Sequence, residues 1–397
     1  MNVIYISPHF PTNYYRFCQE LARNGANVLG IGDAPYEELC DELKESLTEY
    51  YRVSSMENYD EMLRAVAFFT FKYGKIDWLE SNNEYWLEQD AALRTDFNIT
   101  SGQKSWDMEK IKHKSAMKAY YKEAGIPTAR YHLVDTLENG LKFASEVGYP
   151  VIVKPDNGVG SNATFKLKNE AQLREFYASG WSTQYIMEEF INGEICSYDS
   201  IIDSHGNPLL ETGNITPVSI MDSVNDRSKV FFYIVQTLAD DVRAAGRACV
   251  KAFGVRSRCT HLEFFRLLED KEGLGKKGDI VGLEVNMRPS GGFTPEMINY
   301  ACSTDFYKCW ADMVCFDRLT LPDYPEKFYG AHVGRRDEKR YVHTHEEVMS
   351  RWRNQIMMTG VLDPALAGAM GDRFYIARLD TAEQLAQFEE YVSAEIN

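Results

Sequence analysis

No two of the eight cysteines (18, 40, 196, 249, 259, 302, 309 and 315) form a C-x-x-C pair. That excludes a zinc knuckle and a disulfide framework and leaves free thiols in a reducing compartment. Long apolar runs are missing as well: AVAFFTF at 65–71 is far too short to span a bilayer. Basic surplus is absent, with 43 Lys and Arg against 59 Asp and Glu and a formal charge of −16. Neither a nucleic acid nor an anionic membrane is therefore expected as partner, and any anion site must be local. The start, MNVIYISPHF, has no basic n-region and reads as a first strand rather than a signal peptide. Internal repeats, low-complexity tracts and long linkers are also lacking. What is there is ordinary globular composition, 44% hydrophobic over 397 residues, enough for two or three closely joined domains in a cytoplasmic protein.

The first hundred residues alternate strand and helix signals. NVIYIS, a helix over 14–24 closed by Gly25, NVLGIG, a helix over 59–73 closed by Gly74, and IDWLES predict a parallel sheet with crossover helices. Its ligand edge would carry Ser7-Pro8-His9, Gly32-Asp33 and Ser81-Asn82-Asn83-Glu84, the last either touching substrate or forming a plain loop. A helix is expected over 110–123, ended by Gly125-Ile126-Pro127. From Tyr131 the pattern turns mixed, with a hairpin at 151–168, a helix near 169–179, a strand over 184–188, antiparallel strands over 195–235 and a helix over 239–254. The fold class expected is α/β and α+β, a parallel N-terminal domain followed by antiparallel sheets. Thr294-Pro295-Glu296 reads as a helix start whose positive end faces the site or is merely capped. His343-Thr344-His345, without further metal ligands, reads as a surface strand. The tail from 330 to 397 reads as strands plus a last helix, its Arg335, Arg336, Arg373 and Arg378 lining an acceptor pocket or offsetting acidic surface.

VIVKPDNGVGSNAT at 151–164 spells a G-x-G-x-x-A turn after a strand. The alternation of Thr164, Phe165, Lys166, Leu167 and Lys168 continues it into another strand, whereas a dinucleotide fingerprint needs a helix there. The alternative is a hairpin loop whose Gly158 and Gly160 leave amides open to a phosphate, with Lys154 adding charge; the other alternative is only a turn. THLEFFRL (260–267) and IVGLEVNMRPSGG (280–292), joined by a Gly- and Lys-rich connector, form a second hairpin. Alternation puts Glu284, Asn286 and Arg288 on one face, with Glu263 on the partner strand able to sit opposite. Carboxylates so crowded raise each other's pKa unless a cation joins them, and magnesium suits a few carboxylate oxygens plus phosphates. The competing arrangement is a solvated outer face. Against it, both strands are otherwise apolar, and Arg288-Pro289-Ser290-Gly291-Gly292 ends the second with a cation and exposed amides, apt for a phosphorylated intermediate.

These segments, in this order, resemble the ATP-grasp ligases of biotin-carboxylase-like layout, over roughly residues 1–310. The resemblance implies an N-terminal pre-ATP-grasp domain (1–112), a small lid subdomain (113–188) and a large catalytic subdomain with a C-terminal extension (189–397). It implies that in HKSAMKAYYKEAGIPT Lys114 reaches the nucleotide phosphates, and that in VIVKPDNGVGSNAT Lys154 does so too, beneath a glycine-rich lid of Gly158, Gly160 and Ser161. In YIMEEFINGE it places Glu188 and the backbone of Glu189 and Ile191 at adenine and Glu194 at the ribose. In HLEFF and LEVNMRPSGG it makes Glu263, Glu284 and Asn286 metal ligands and Arg288 the partner of the acyl-phosphate. ATP and Mg²⁺, with Mn²⁺ as substitute, are the implied cofactors; a small carboxylate and an amine are the implied substrates; a homodimer is compatible. N-x-R-x-x-G-G is more similar to the amino-acid and peptide ligase branch than to the carbamoyl-phosphate branch. Carboxyphosphate or carbamate chemistry and a non-catalytic ATP-binding regulatory module are the alternatives.

Overall fold

The computed structural model describes residues 1–158, 163–217, 229–322, 326–362 and 364–396. Strands β1 (Asn2–Ile6), β2 (Asn27–Gly32), β3 (Glu49–Arg52) and β4 (Trp78–Glu80) form a parallel sheet in the order β3-β2-β1-β4. Its apolar strands are covered on both sides, as a parallel sheet requires. One side is sealed by Met62, Ala65, Val66 and Phe69 of the helix Tyr59–Tyr73. The other is covered by the helix Tyr15–Arg23, whose Phe17 packs edge-on at 4.7 Å against Tyr307 and 5.1 Å against Trp310 of the helix Phe306–Phe316. The N-terminal sheet and the second half of the chain therefore share one core. Ser7 and Asn82, just past the ends of the adjacent strands β1 and β4, hold left-handed φ of 55° and 54°. Non-glycine residues are kept there only by surrounding contacts.

Strands β5 (Tyr131–Leu133), β6 (Val151–Pro155), β7 (Phe165–Leu167) and β8 (Tyr185–Glu189) form a second sheet, β5-β8-β6-β7, all antiparallel. The strand after the glycine-rich turn is β7, not a helix, so the dinucleotide alternative is closed. The third sheet comprises β9 (Gly193–Ile202), β10 (Pro208–Thr212), β11 (Asn214–Thr216), β12 (Val230–Ile234), β13 (Arg258–Leu267), β14 (Ile280–Asn286), β15 (Tyr329–Arg335), β16 (Ile356–Val361) and β17 (Arg373–Leu379). It runs β14-β13-β9-β11-β12-β15-β17-β16, with β10 on β9, so the tail continues the sheet that bears the carboxylates. No helix among the described residues is long and apolar enough to cross a membrane.

Two expectations need correction. The helix expected over 110–123 is two helices, Met108–Lys112 and Lys114–Glu123, broken at His113, which is extended (φ −94°, ψ 115°). Asp156 is the cause: its carbonyl takes the Lys114 N–H at 2.9 Å and its carboxylate the Ser115 N–H at 2.8 Å. His343-Thr344-His345 is a helix start, not a strand, because Thr344 and Glu347 form a capping box at the head of His345–Arg351. His343 stacks on Tyr391 and His345 bonds the Tyr375 hydroxyl. The helix expected to start at Thr294-Pro295-Glu296 does so, over Thr294–Cys302 with Pro295 in its first turn, and Glu296 is bonded to Asn13 Nδ2 at 3.1 Å and Tyr307 Oη at 2.6 Å. In the tail, Arg335 donates to Val392 O and Arg378 lies over the Phe328 ring; both serve local packing.

Candidate active site

Glu263 on β13 and Glu284 on β14 are direct partners in the antiparallel register, and His261 is opposite Asn286. Opposed residues project to the same face, so both carboxylates and the Asn286 amide share it. The register shifts immediately beyond, between Glu263 and Phe264, a bulge of the kind that re-aims side chains beside sites. The glutamate side chains are only 19% and 24% exposed, which rules out the solvated outer face.

The helix Lys114–Glu123 lies close over this hairpin because β14 has a glycine beneath it: a Cβ at Gly282 would stand 2.5 Å from the Tyr121 ring. Tyr121 donates to the Glu263 carbonyl at 3.3 Å, and one helical face brings Lys114 Nζ to 3.2 Å from Glu284 Oε1. Glu263 is held by His261, whose Nε2 is 3.1 Å from Glu263 Oε1 and whose Nδ1 is 2.7 Å from Asp199 Oδ1. Burial works against a charged His261, but Asp199 and then Glu263 override it and push the ring up to about 10. Burial likewise opposes ionisation of Glu263, while His261 and Arg288 draw its carboxyl below the ordinary range. Arg288 gives Nη2 to Asn286 Oδ1 at 3.2 Å and Nε to Glu84 Oε2 at 3.1 Å. Glu84 also takes Lys112 Nζ at 2.6 Å.

Beside the carboxylates lies a buried triad. Glu188 accepts Lys154 Nζ at 2.7 Å and Lys118 Nζ at 2.5 Å. Burial would raise its carboxyl, but Lys118 and Lys154 hold it down at about 2. Burial disfavours the Lys154 charge, yet Glu188, Glu284 and Glu263 together raise its pKa. Lys114 Nζ is also 3.5 Å from the Gly158 carbonyl. The Glu189 carboxylate is taken by Arg130, whose carbonyl also takes the Glu189 N–H at 3.1 Å. Ile191 is buried with Ala129, Leu267 and Val281. Glu194 is opposite Arg266, and alternation sets it on the face of Cys196 and Tyr198, away from Glu263. Gly160 and Ser161 lie outside the described residues.

The geometry thus gathers Lys114, Lys154, Glu188, Glu263, Glu284, Asn286 and Arg288. It adds Lys118, Lys112, His261 and Glu84, which the sequence reading either missed or left as loop. Lys118 carried a signal, since it is four residues beyond Lys114 on one helix face. Among the described residues no three His, Cys, Asp or Glu side chains gather as a metal site. The donor set is two carboxylates and an amide oxygen, hard oxygen ligands that fit magnesium with water and phosphates completing its shell.

Residues 112–289 match the family model "Carbamoyl-phosphate synthase L chain, ATP binding domain". The carbamoyl phosphate synthase large chain of Clostridium botulinum (strain Loch Maree / Type A3) is 24% identical over 232 residues, 52% of this chain and 21% of that protein. The chain therefore spans about a fifth of the length of that relative. Among solved structures, an L-amino acid ligase from Bacillus licheniformis superposes with a TM-score of 0.72 at 16% identity, covering 100% of this chain and 98% of the other. The biotin carboxylase domain dimer of Hydrogenobacter thermophilus 2-oxoglutarate carboxylase, in complex with MgADP, ADP and bicarbonate, superposes at 0.70 with 15% identity, covering 100% and 90%. The fold likeness extends over the whole chain and the family-model match over residues 112–289. The fold is that of these ATP-grasp structures, with the ATP-binding domain model matched within it.

Proposed function

We propose that the protein is an ATP- and magnesium-dependent ligase that activates a small carboxylate as an acyl-phosphate and joins it to an amine, an amino acid or small peptide being the substrate class. The observation that carries this is the pairing of Glu263 with Glu284 across the hairpin, with the Lys114 ammonium 3.2 Å from Glu284. Glu263, Glu284 and Asn286 would hold magnesium, which when bound neutralises charge on the β- and γ-phosphates. Lys114 and Lys154 bind and orient the phosphates, and Glu188 with the backbone of Glu189 and Ile191 meets the adenine. Arg288, at the mouth facing the N-terminal sheet, holds the carboxylate while its oxygen attacks the γ-phosphorus and ADP leaves. The amine nitrogen then attacks the acyl carbon, phosphate departs, and the nitrogen gives up its proton.

Bicarbonate as the activated carboxylate is a second reading, favoured by the match to carbamoyl-phosphate synthase chains. Arg288-Pro289-Ser290-Gly291-Gly292 differs from what the carboxylase subgroup keeps after that arginine, which favours the amino-acid reading. A phosphate-release screen over pairs of amino acids and small acids, with bicarbonate included and product masses measured, tests both. Phosphate release with a condensation product supports the ligase; ATP binding without turnover on any pair refutes it in favour of a regulatory module.

A further inference from the structure

Arg258, the first residue of β13, and Glu80, the last of β4, meet in the interior at 3% and 2% exposure, Arg258 Nη2 standing 2.7 Å from Glu80 Oε2. Arg94 shares that carboxylate oxygen at 3.5 Å and is itself tied to the Leu79 carbonyl at 2.8 Å. Sinking two guanidinium groups and a carboxylate into a core adds little net stability, because the lost hydration cancels most of the attraction. The two cations are not even saturated, since Arg258 Nε and Arg94 Nη2 find no partner among the described residues. Arg258 directs its other arm elsewhere: Nη1 donates at 2.8 Å to the carbonyl of Met287, the residue immediately before Arg288.

The same stretch reaches Arg288 by a second route. Four residues after Glu80, Glu84 holds the Arg288 Nε–H at 3.1 Å. Between the two, Ser81 is fixed to Asp90 through its N–H at 3.0 Å and its hydroxyl at 2.6 Å. The left-handed Asn82 is fixed by Tyr14, which donates to its carbonyl at 3.1 Å. Residues 80–84 of the N-terminal layer thus grip Arg288 at both ends, its backbone through Arg258 and its guanidinium through Glu84. The loop above leaves no slack: a Cβ on Gly102 would be 2.9 Å from Arg258 Nη2 and 3.1 Å from Arg94 Nε.

We propose that Arg258 and Glu80 are positioning residues that set the Arg288 guanidinium against the activated carboxylate, through the Met287 carbonyl and the 80–84 segment. This rests on the ligase reading, in which Arg288 touches that group.

The test uses the full chain with ATP, magnesium and an equimolar mixture of L-amino acids, reading phosphate release. Arg258→Lys keeps the charge beside Glu80 but lacks the fork that reaches Met287 at the same time. It should lower kcat about 10- to 100-fold, the size of effect a misplaced catalytic group produces, with the Kd for MgADP and the thermal midpoint near wild type. Glu80→Gln strands Arg258 and Arg94 and should lower the thermal midpoint, but on the folded protein it should cut kcat by the same factor with the Kd for MgADP near wild type. A purely structural role would move MgADP affinity together with kcat and would overturn the proposal. Both variants folded with wild-type kcat, while Arg288→Ala is inactive, would overturn it and leave the ligase reading standing. Arg288→Ala at wild-type kcat would remove both.

Discussion

Replacing Glu188 by glutamine removes the carboxylate that Lys118 and Lys154 share in the interior. Its carboxyl is held at about 2 instead of 4.5, and at about 1.4 kcal/mol for each tenfold change in proton affinity the charged form is worth about 3 kcal/mol to the fold. Breaking a buried pair from one side costs about 3–5 kcal/mol by general experience, because an uncompensated charge remains. Urea unfolding at pH 7 should therefore show Glu188→Gln less stable by about 3 kcal/mol at unchanged slope. The sign with pH follows from the lowered value. The stabilisation is complete above about 4.5 and disappears as pH falls through about 2, so the gap between wild type and variant should close across that window. Adding Lys118→Met to Glu188→Gln should recover part of the loss, since one stranded ammonium is gone. A loss below about 1 kcal/mol, or a gap that stays constant down to pH 2, would refute the claim that these groups act as one buried unit.

Glu284→Gln should abolish phosphate release in the substrate screen while leaving the urea midpoint within about 1 kcal/mol of wild type, because the side chain is 24% exposed and a glutamine oxygen can still accept from Lys114; retained turnover would remove the metal assignment. Lys154→Met should weaken ATP binding, measured by calorimetry, and unchanged affinity would count against its role at the phosphates. Gly246→Ala should destabilise by about 1–3 kcal/mol despite alanine's better helix propensity, since its Cβ would lie 2.1 Å from the Tyr198 ring; a neutral thermal melt would contradict this. His332, buried between Phe232 and Phe374 with Nε2 bonded to Met370 O, is lowered by burial to about 4. Stability should thus be full above about 6.5 and fall by about 3 kcal/mol as the pH drops towards 4, and His332→Gln should lack that slope.

The parallel sheet was legible because apolar runs and glycine stops recur at the spacing of crossover units, and the β13–β14 hairpin because period-2 alternation puts Glu284, Asn286 and Arg288 on one side. Register followed from burial: a one-residue slip would have turned Val285 and Met287, both buried, outward. What escaped depended on groups distant in the chain. The break at His113 is imposed by Asp156, 43 residues away, and no local propensity predicts it. The fate of Glu84 was set by Arg288, 204 residues on, so its loop could be read but not its partner. Glu296 is the first-turn acid the sequence suggested, but its partner Asn13, from another layer, was not legible. Lys118 and His261 were within reach of the same periodicity arguments that found Lys114 and Glu263.

Phe17 seated among Tyr307 and Trp310, and Glu80 bridging Arg94 to Arg258, weld the first sheet to the third through oil and charge at once. Neither can turn without tearing the other. The second sheet meets them through polar contacts: Asp156 takes the Lys114 and Ser115 N–H groups, and Glu188 takes Lys118. A single anion reaching both Lys114 and Lys154 would therefore touch the second sheet and the helix laid over the third at once.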